Sequence, residues 1–186
     1  INMQTRLYYC GMRPISLVVD LTNYIMLELG QPMHAYDKRQ FRNIVVRSPK
    51  EPFRFKTLDG VERDIPADVL MICNNDEPVG IAGIMGGENT EIRDDTEAIL
   101  LEAANFEGSS IRKSSTRLGL RTEASARFEK MLDPGLAPVA IKRFVKLLRD
   151  VQGDVKIVSN LTDVVARKPE PVKITITRAF IDRYVG

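Results

Sequence analysis

Four short runs typical of β-strands lie between residues 44 and 73, and they constrain the fold more than any other feature of the sequence. Asp59-Gly60 separates two of them and is a strong signal for a tight hairpin. No helical segment lies between the runs, so the region shows no regular β-α-β alternation. The predicted strands are 44–47, 53–58, 63–65 and 69–73.

Helical patterns flank this strand-rich region. Apolar residues recur at helical spacing over 15–29, with Gly30 as the stop signal, and residues 31–37 follow as a predicted loop because Pro32 opposes a helix. Further helices are predicted at 107–118 and 138–151, and further strands at 98–104 and 154–158. The fold class expected is mixed α+β: many short strands in a β-sandwich-like core with flanking helices, in three layers.

The 186 residues fit one domain followed by a piece of a second. We expect the first domain to span 1–165. A polar, proline-bearing linker follows at 166–171, and 172–186 begin a new strand-then-helix pattern that stops abruptly. The chain also starts at Ile1 rather than at a methionine, so we interpret it as a fragment of a longer protein.

The composition excludes several classes of protein. A formal net charge of +2 does not indicate a general nucleic-acid binder, so any such surface has to be local. No apolar run approaches the roughly 20 residues needed to cross a bilayer. Cys10 and Cys73 are the only cysteines and form no CxxC pair, which favours a reduced, cytoplasmic protein and leaves one disulfide open.

Two polar residues stand out as candidates for chemistry. His34 is the only histidine, so clusters of histidine ligands are excluded, and it is either structural or functional. Glu102 lies in an otherwise apolar strand, where a carboxylate either faces water at an edge or waits in a pocket for a ligand donor. No Ser-His-Asp or Cys-His arrangement is evident, although Ser125 stays open as a nucleophile.

Two longer stretches also allow both a structural and a functional interpretation. Residues 78–88 hold four glycines without the Lys of a nucleotide-binding loop, so they predict either tight strand packing or a narrow pocket wall. Residues 111–130 hold six basic and two acidic residues, a local charge of +4. They form either a solvated helix face or, with the break at Gly119, a surface for a polyanion's backbone.

Five strings in this order resemble the editing domain of the bacterial-type phenylalanyl-tRNA synthetase beta chain over roughly residues 10–155. They are RPI with VVDLTNY (13–24), ELGQPMHAYD (28–37), AGIMGGE (82–88), LEAANF (101–106) and GLRTEASARFE (119–129). In that family the domain hydrolyses tyrosine wrongly esterified to the phenylalanine tRNA. The resemblance implies a tRNA(Phe) acceptor end and an alpha subunit as partners, without a membrane. It also implies ATP and Mg for the parent synthetase and no cofactor in this fragment.

The resemblance also implies roles for individual residues. Glu102 matches the acceptor for the tyrosine hydroxyl, and His34 and Thr122 match catalytic positions. The remaining substrate-binding positions are Gln31 and Pro32 in the closing loop, Ala82, Gly83 and Gly86 in the slot walls, Ala124 opposite, and Arg13, which either meets the tRNA end or supports the pocket. Two other functions are kept as alternatives: a non-catalytic tRNA-binding or scaffold module, and a free-standing aminoacyl-tRNA deacylase.

Overall fold

The computed structural model describes residues 2–166 and 171–186, and within them it confirms the mixed α+β class. The described residues divide into two units, the first ending at Val155 and the second covering Lys156–Gly186. The helices are α1 (Asn2–Tyr9), α2 (Leu17–Leu29), α3 (Gly108–Arg117), α4 (Glu123–Phe128), α5 (Leu136–Val151) and α6 (Arg178–Val185). The strands are β1 (Met33–Asp37), β2 (Ile44–Arg47), β3 (Phe53–Lys56), β4 (Glu62–Ile65), β5 (Met71–Asn74), β6 (Glu77–Ile81), β7 (Met85–Gly86) and β8 (Ile99–Ala103).

The strands form three small antiparallel sheets. One sheet has the order β2-β5-β6-β7, β3 pairs with β4, and β1 pairs with β8. The hairpin predicted at Asp59-Gly60 is confirmed, since it joins β3 to β4 and Gly60 has a φ of 75°, which glycine adopts without strain. The runs at 44–73 are therefore strands, with ends that differ from the predicted ones by one or two residues.

The β1–β8 ribbon separates two hydrophobic cores. On one face, Met33, Ile99 and Leu101 pack against the core that α2 and α5 share. On the other face, Tyr36 and Leu100 pack into the larger core beneath the four-stranded sheet. Because side chains alternate along a strand, the same two strands serve both cores. This alternation fixes which residues of β1 and β8 can meet around the larger core.

Two local predictions are corrected. Residues 31–37 were expected to form a loop, but 33–37 are strand β1 because pairing with β8 satisfies their backbone groups. The strand expected at 154–158 is absent from the described residues, and no neighbouring strand offers it a partner. Helices α1 and α4 were not predicted. The linker was expected at 166–171, and its residues 167–170 lie outside the described part of the chain.

The unit from Lys156 contains one helix among its described residues. Thr177 caps α6 by accepting a hydrogen bond from the backbone N–H of Phe180 at 3.2 Å. The Phe180 and Tyr184 rings lie on one side of the helix with centroids 4.9 Å apart. No described side chain in this unit is buried.

Candidate functional site

The pairing of β1 with β8 brings His34 and Glu102 together. The two residues are directly opposite each other in the antiparallel register, where side chains on the same face have Cβ atoms about 5 Å apart. Tyr36 lies two residues beyond His34 and therefore on the same face. A histidine, a tyrosine and a glutamate thus meet on one side of a two-stranded ribbon, facing the glycine-rich β6–β7 hairpin.

The Glu102 carboxylate has a single hydrogen-bond partner among the described residues. The Tyr36 hydroxyl donates to Oε2 of Glu102 at 2.5 Å. Burial raises the pKa of the Glu102 carboxyl, and the hydrogen bond from Tyr36 opposes part of that rise. The pKa of Tyr36 is raised well above its ordinary value by burial and by the carboxylate, so the phenol keeps its proton and acts as the donor.

His34 is neutral at neutral pH. Burial lowers the pKa of its imidazole to about 4 because the charged form loses its hydration. A neutral imidazole has one nitrogen that donates and one that accepts hydrogen bonds. Its ring meets the Tyr36 ring edge-on, with centroids 4.3 Å apart. The geometry therefore suits His34 to hold a water or a hydroxyl rather than to carry a positive charge.

A small cavity of about 70 Å³ opens beside these three residues. His34 and Glu102 each remain partly exposed, so the cavity has an open side. The enclosed volume is about half of the ~150 Å³ that holds benzene in an engineered protein cavity, so an aromatic ligand also needs the open side. The cavity is lined by Pro32, Met33, His34, Tyr36, Ile72, Gly80, Ile81, Gly83, Ile84, Met85, Gly86, Glu102, Ala124 and Phe128.

Two glycines of the predicted wall are required for different reasons. A Cβ at Gly86 would lie 2.7 Å from Cε1 of His34, so a side chain there displaces the imidazole. Gly83 has a φ of 67°, and its Cβ would come within 2.9 Å of the side chains of Ile111 and Phe106. Gly86 thus keeps the cavity open, whereas Gly83 is also needed for the turn and for the core.

Six of the ten predicted site residues meet around this cavity, and four do not line it. Those that meet are His34, Glu102, Pro32, Gly83, Gly86 and Ala124. Ala82 is buried in the larger core, and Arg13 is exposed near the start of α2. Gln31 and Thr122 lie just behind the cavity lining, where their side chains fix the backbone of residues that do line it.

Gln31 is completely buried and fastens two segments together. Its side-chain amide donates to the carbonyls of Pro32 at 2.9 Å and Ala104 at 2.8 Å. The amide oxygen of Gln31 has no hydrogen-bond partner among the described residues. Because Pro32 precedes β1 and Ala104 follows β8, Gln31 holds the end of the ribbon that carries His34 and Glu102.

Thr122 is the N-cap of α4, and its hydroxyl is fully engaged. The hydroxyl donates to the carbonyl of Ile84 at 2.8 Å and accepts from the N–H of Ser125 at 3.1 Å. The Ser125 hydroxyl accepts in return from the N–H of Thr122, which completes a capping box. Ser125 is 1% exposed, so this contact accounts for the hydroxyl that the sequence left open as a nucleophile.

Tyr36 is the residue of the site that the sequence did not single out. The signal for it was present, because it follows His34 by two positions and a strand places such residues on one face. The signal was missed because 31–37 was interpreted as a loop, to which this period does not apply. Met33 and Met85 also line the cavity without having been predicted.

The basic stretch at 111–130 divides into paired and unpaired residues. Arg117 pairs with Asp68, Arg121 with Glu129, and Arg127 with Glu123. Exposed ion pairs of this kind contribute little to stability. Among the described residues, three exposed side chains of the stretch are in no ion pair: Arg112, Lys113 and Lys130.

Neither a metal cluster nor a membrane span is found in the part of the chain that the structure describes. No three side chains from His, Cys, Asp and Glu come close enough there to share a metal ion. No described helix combines the length and apolar composition that crossing a bilayer requires. Cys10 and Cys73 are both free thiols, so no disulfide joins them.

Comparison with known proteins matches residues 1–153 to the B3/4 domain model. The chain is 47% identical over 186 residues to the phenylalanine–tRNA ligase beta subunit of Dehalococcoides mccartyi, and 44% identical to that of Clostridium acetobutylicum. Both alignments cover 99% of this chain and 23% of the relative, so the chain spans less than a quarter of their length. The Halalkalibacterium halodurans beta subunit is 48% identical over 153 residues, which are 81% of this chain and 19% of that protein. The resemblance noted in the motifs is thus confirmed, and the chain belongs to the B3/4 domain family.

Proposed function

We propose that this chain is an editing domain that hydrolyses tyrosine wrongly esterified to tRNA(Phe). The observation that carries the proposal is Glu102, a partly buried carboxylate in an apolar strand, beside a cavity and with one hydrogen-bond partner among the described residues. A carboxylate placed in this way retains acceptor capacity for a ligand hydroxyl. Tyrosine differs from phenylalanine by that hydroxyl alone.

The physical need for such a site follows from how apolar pockets discriminate. A pocket built for phenylalanine rejects an analogue with one added hydroxyl by a factor of only about a hundred. A second site that requires the hydroxyl discriminates in the opposite sense, because its own polar group stays unpaired when the hydroxyl is missing. Glu102 supplies such a polar group.

The reaction is the attack of water on an activated ester. The water oxygen bonds to the ester carbonyl carbon, the bond to the tRNA ribose oxygen breaks, and that oxygen leaves with a proton. Positioning of water and ribose accelerates such a reaction without a protein nucleophile. Neutral His34, with one donor and one acceptor nitrogen, is suited to hold the water or the ribose hydroxyl.

Thr122 was predicted to be catalytic, and its place behind the cavity lining favours a role through other residues. Its hydroxyl holds Ile84 and caps α4, which carries Ala124 to the cavity. Arg13, Arg112, Lys113 and Lys130 are exposed cations suited to the phosphate backbone of the tRNA.

The wider context is proposed from the relatives. The chain would be part of a cytoplasmic phenylalanine–tRNA ligase beta subunit that works with an alpha subunit. ATP- and Mg-dependent aminoacylation would take place in other parts of that enzyme. A scaffold module is the competing function, but it has no need of an acceptor such as Glu102 beside a cavity that Gly86 keeps open.

The test is deacylation of Tyr-tRNA(Phe) and Phe-tRNA(Phe) by the native full-length protein assembled with its partner subunit. We expect the wild type to hydrolyse Tyr-tRNA and largely spare Phe-tRNA. Glu102→Ala should lower Tyr-tRNA hydrolysis at least about 100-fold. Glu97→Ala is the matched control, since Glu97 is exposed and lies just before β8. Equal Tyr-tRNA hydrolysis by the wild type and Glu102→Ala would exclude the proposal.

A further inference from the structure

Tyr36 places a phenol of the protein itself on the acceptor of the proposed site. Its hydroxyl lies 2.5 Å from Oε2 of Glu102, and its side chain also lines the cavity. The group that Glu102 already binds is therefore chemically the same as the group at the end of a tyrosyl side chain. This contact raises the question of whether Tyr36 competes with a ligand or prepares the site for one.

The number of hydrogen bonds that a carboxylate can accept favours the second possibility, in which Tyr36 prepares the site for a ligand. An ionised carboxylate has two oxygens and about four positions for hydrogen-bond donors, and Tyr36 occupies one of them on Oε2. A ligand hydroxyl can therefore bind Glu102 without displacing Tyr36. A single fixed donor also restricts the rotation of the carboxylate, so that the remaining positions keep a defined direction.

The Tyr36 ring is held firmly enough to act as such a fixed donor. The residue is 2% exposed and belongs to strand β1. Its ring meets His34 at a centroid distance of 4.3 Å and Phe41 at 4.6 Å. Contacts on two sides leave the ring little freedom, so the position of the hydroxyl is set by the larger core rather than by the carboxylate that it binds.

We propose that Tyr36 is a positioning residue that orients the Glu102 carboxylate for the hydroxyl of the tyrosyl ligand; this inference rests on the proposed editing function. The electrostatics agree with the geometry. Burial raises the pKa of Glu102, and the hydrogen bond from Tyr36 is the interaction that lowers it. Loss of the phenol should therefore leave Glu102 harder to ionise and less able to accept a hydrogen bond from a ligand.

Tyr36→Phe tests this inference because it keeps the ring and removes only the hydroxyl. In the full-length protein with its partner subunit, we expect KM for Tyr-tRNA to rise about tenfold, with a smaller change in kcat. The pH below which Tyr-tRNA hydrolysis falls should move upward, since Glu102 protonates more readily. A general packing defect would not move this pH limit.

Tyr24→Phe is the matched control, because the Tyr24 hydroxyl accepts a hydrogen bond from Arg6 and does not line the cavity. It should leave KM and the pH limit unchanged. An unchanged or lower KM in Tyr36→Phe, with Glu102→Ala still inactive on Tyr-tRNA, would overturn the role of Tyr36 alone and identify it as a bystander or a competitor. A wild type that does not hydrolyse Tyr-tRNA would overturn this inference together with the proposed function.

Discussion

Asp37 and Glu102 are both carboxylates of the β1–β8 ribbon, and they differ in how fully the protein satisfies them. Asp37 is fully buried and accepts hydrogen bonds from the backbone N–H and the guanidinium of Arg39 and from the Thr96 hydroxyl. Glu102 accepts from Tyr36 alone among the described residues. A carboxylate saturated by its own chain serves the structure, whereas one left with spare acceptor positions beside a cavity is available to a ligand.

The pKa values of the two groups move in opposite directions because their hydrogen-bond partners differ. The Arg39 guanidinium holds the pKa of Asp37 well below its usual range, so this group stays ionised in the folded protein. Burial raises the pKa of Glu102 because the single neutral partner does not replace the lost hydration. The comparison therefore predicts that Asp37 stabilises the fold and that Glu102 costs stability for the sake of binding.

The largest expected effect is on the stability of the Asp37→Ala variant. Removal of this carboxylate takes the acceptor from the Thr96 hydroxyl and from the Arg39 backbone N–H and guanidinium, although Arg39 keeps its pair with Asp95. The loss of these hydrogen bonds should lower the free energy of unfolding by about 3 kcal/mol. Glu102→Ala leaves the Tyr36 hydroxyl without its partner but also relieves the desolvation of the carboxylate, so the net change should stay within about 1 kcal/mol. Urea unfolding of the 186-residue chain near neutral pH measures both. Equal destabilisation by the two variants would contradict the assignment of Asp37 to the stability of the fold and of Glu102 to ligand binding.

Gly86→Ala tests whether Glu102 needs the open cavity. The added Cβ would lie 2.7 Å from Cε1 of His34 and force the imidazole out of place. We expect about 100-fold slower Tyr-tRNA hydrolysis, equivalent to about 2.7 kcal/mol. Gly153→Ala is the control, since a Cβ there meets nothing within 4 Å. A Gly86→Ala variant as active as that control would show that the ligand does not use this cavity.

His34 makes the stability of the folded protein depend on pH. Its pKa is lowered to about 4 in the folded protein, so the unfolded chain binds more protons between pH 4 and about 6.5. Stability should therefore fall as the pH drops through this window, by about 2 kcal/mol at pH 4 for this partly exposed group. Glu102 acts in the opposite sense, because its folded-state pKa is raised and its contribution is lost as the pH rises.

The difference between the wild type and His34→Gln isolates the histidine, because the chain has no other. Urea unfolding of both proteins from pH 4 to pH 7.5 should give a difference in unfolding free energy that grows in favour of the wild type as the pH rises from 4 to 6.5. It should then level off. A difference that is independent of pH would mean that His34 titrates normally in the fold.

The smallest effect concerns one donor of Asp37. Thr96→Val removes the neutral hydroxyl that donates to Asp37 at 2.8 Å and accepts from the exposed backbone N–H of Arg93, and it leaves Arg39 in place. We expect a loss of about 1 kcal/mol in the urea unfolding experiment. Thr116→Val is a suitable control, since Thr116 is exposed on α3. A loss of unfolding free energy as large as that of Asp37→Ala would show that Thr96, rather than Arg39, is the main stabilising donor of Asp37.

The sequence predicted much of the fold, because local signals and tertiary pairing agree over residues 44–65. Asp59-Gly60 marks the hairpin that joins β3 to β4. The loop prediction at 31–37 was wrong because Pro32 outweighed a strand signal that depends on β8, which lies more than sixty residues away. The strand predicted at 154–158 was wrong for the converse reason, since a suitable composition has no partner strand among the described residues.

The candidate site was predictable to the extent that a motif marked it. Glu102 stood out as a carboxylate in an apolar strand, and His34 stood out as the only histidine of the chain. The register of β1 and β8 brings the two residues together. Tyr36 could not be found without the strand that gives it the same face as His34. The burial that sets the pKa values of His34 and Glu102 depends on segments that pack around the cavity from several parts of the chain, so no single segment encodes it.

A thermodynamic cycle on kcat/KM that combines one substitution with one change of substrate tests most directly whether Glu102 recognises the ligand hydroxyl. The cycle compares Tyr-tRNA with Phe-tRNA in the wild type and in Glu102→Ala, with Asp37→Asn as the parallel variant, all in the full-length assembled protein. We predict that Glu102→Ala lowers the Tyr/Phe ratio of kcat/KM by at least about 30-fold, a coupling of about 2 kcal/mol, and that Asp37→Asn leaves the ratio unchanged. A Glu102→Ala variant that slows both substrates by the same factor would contradict the account.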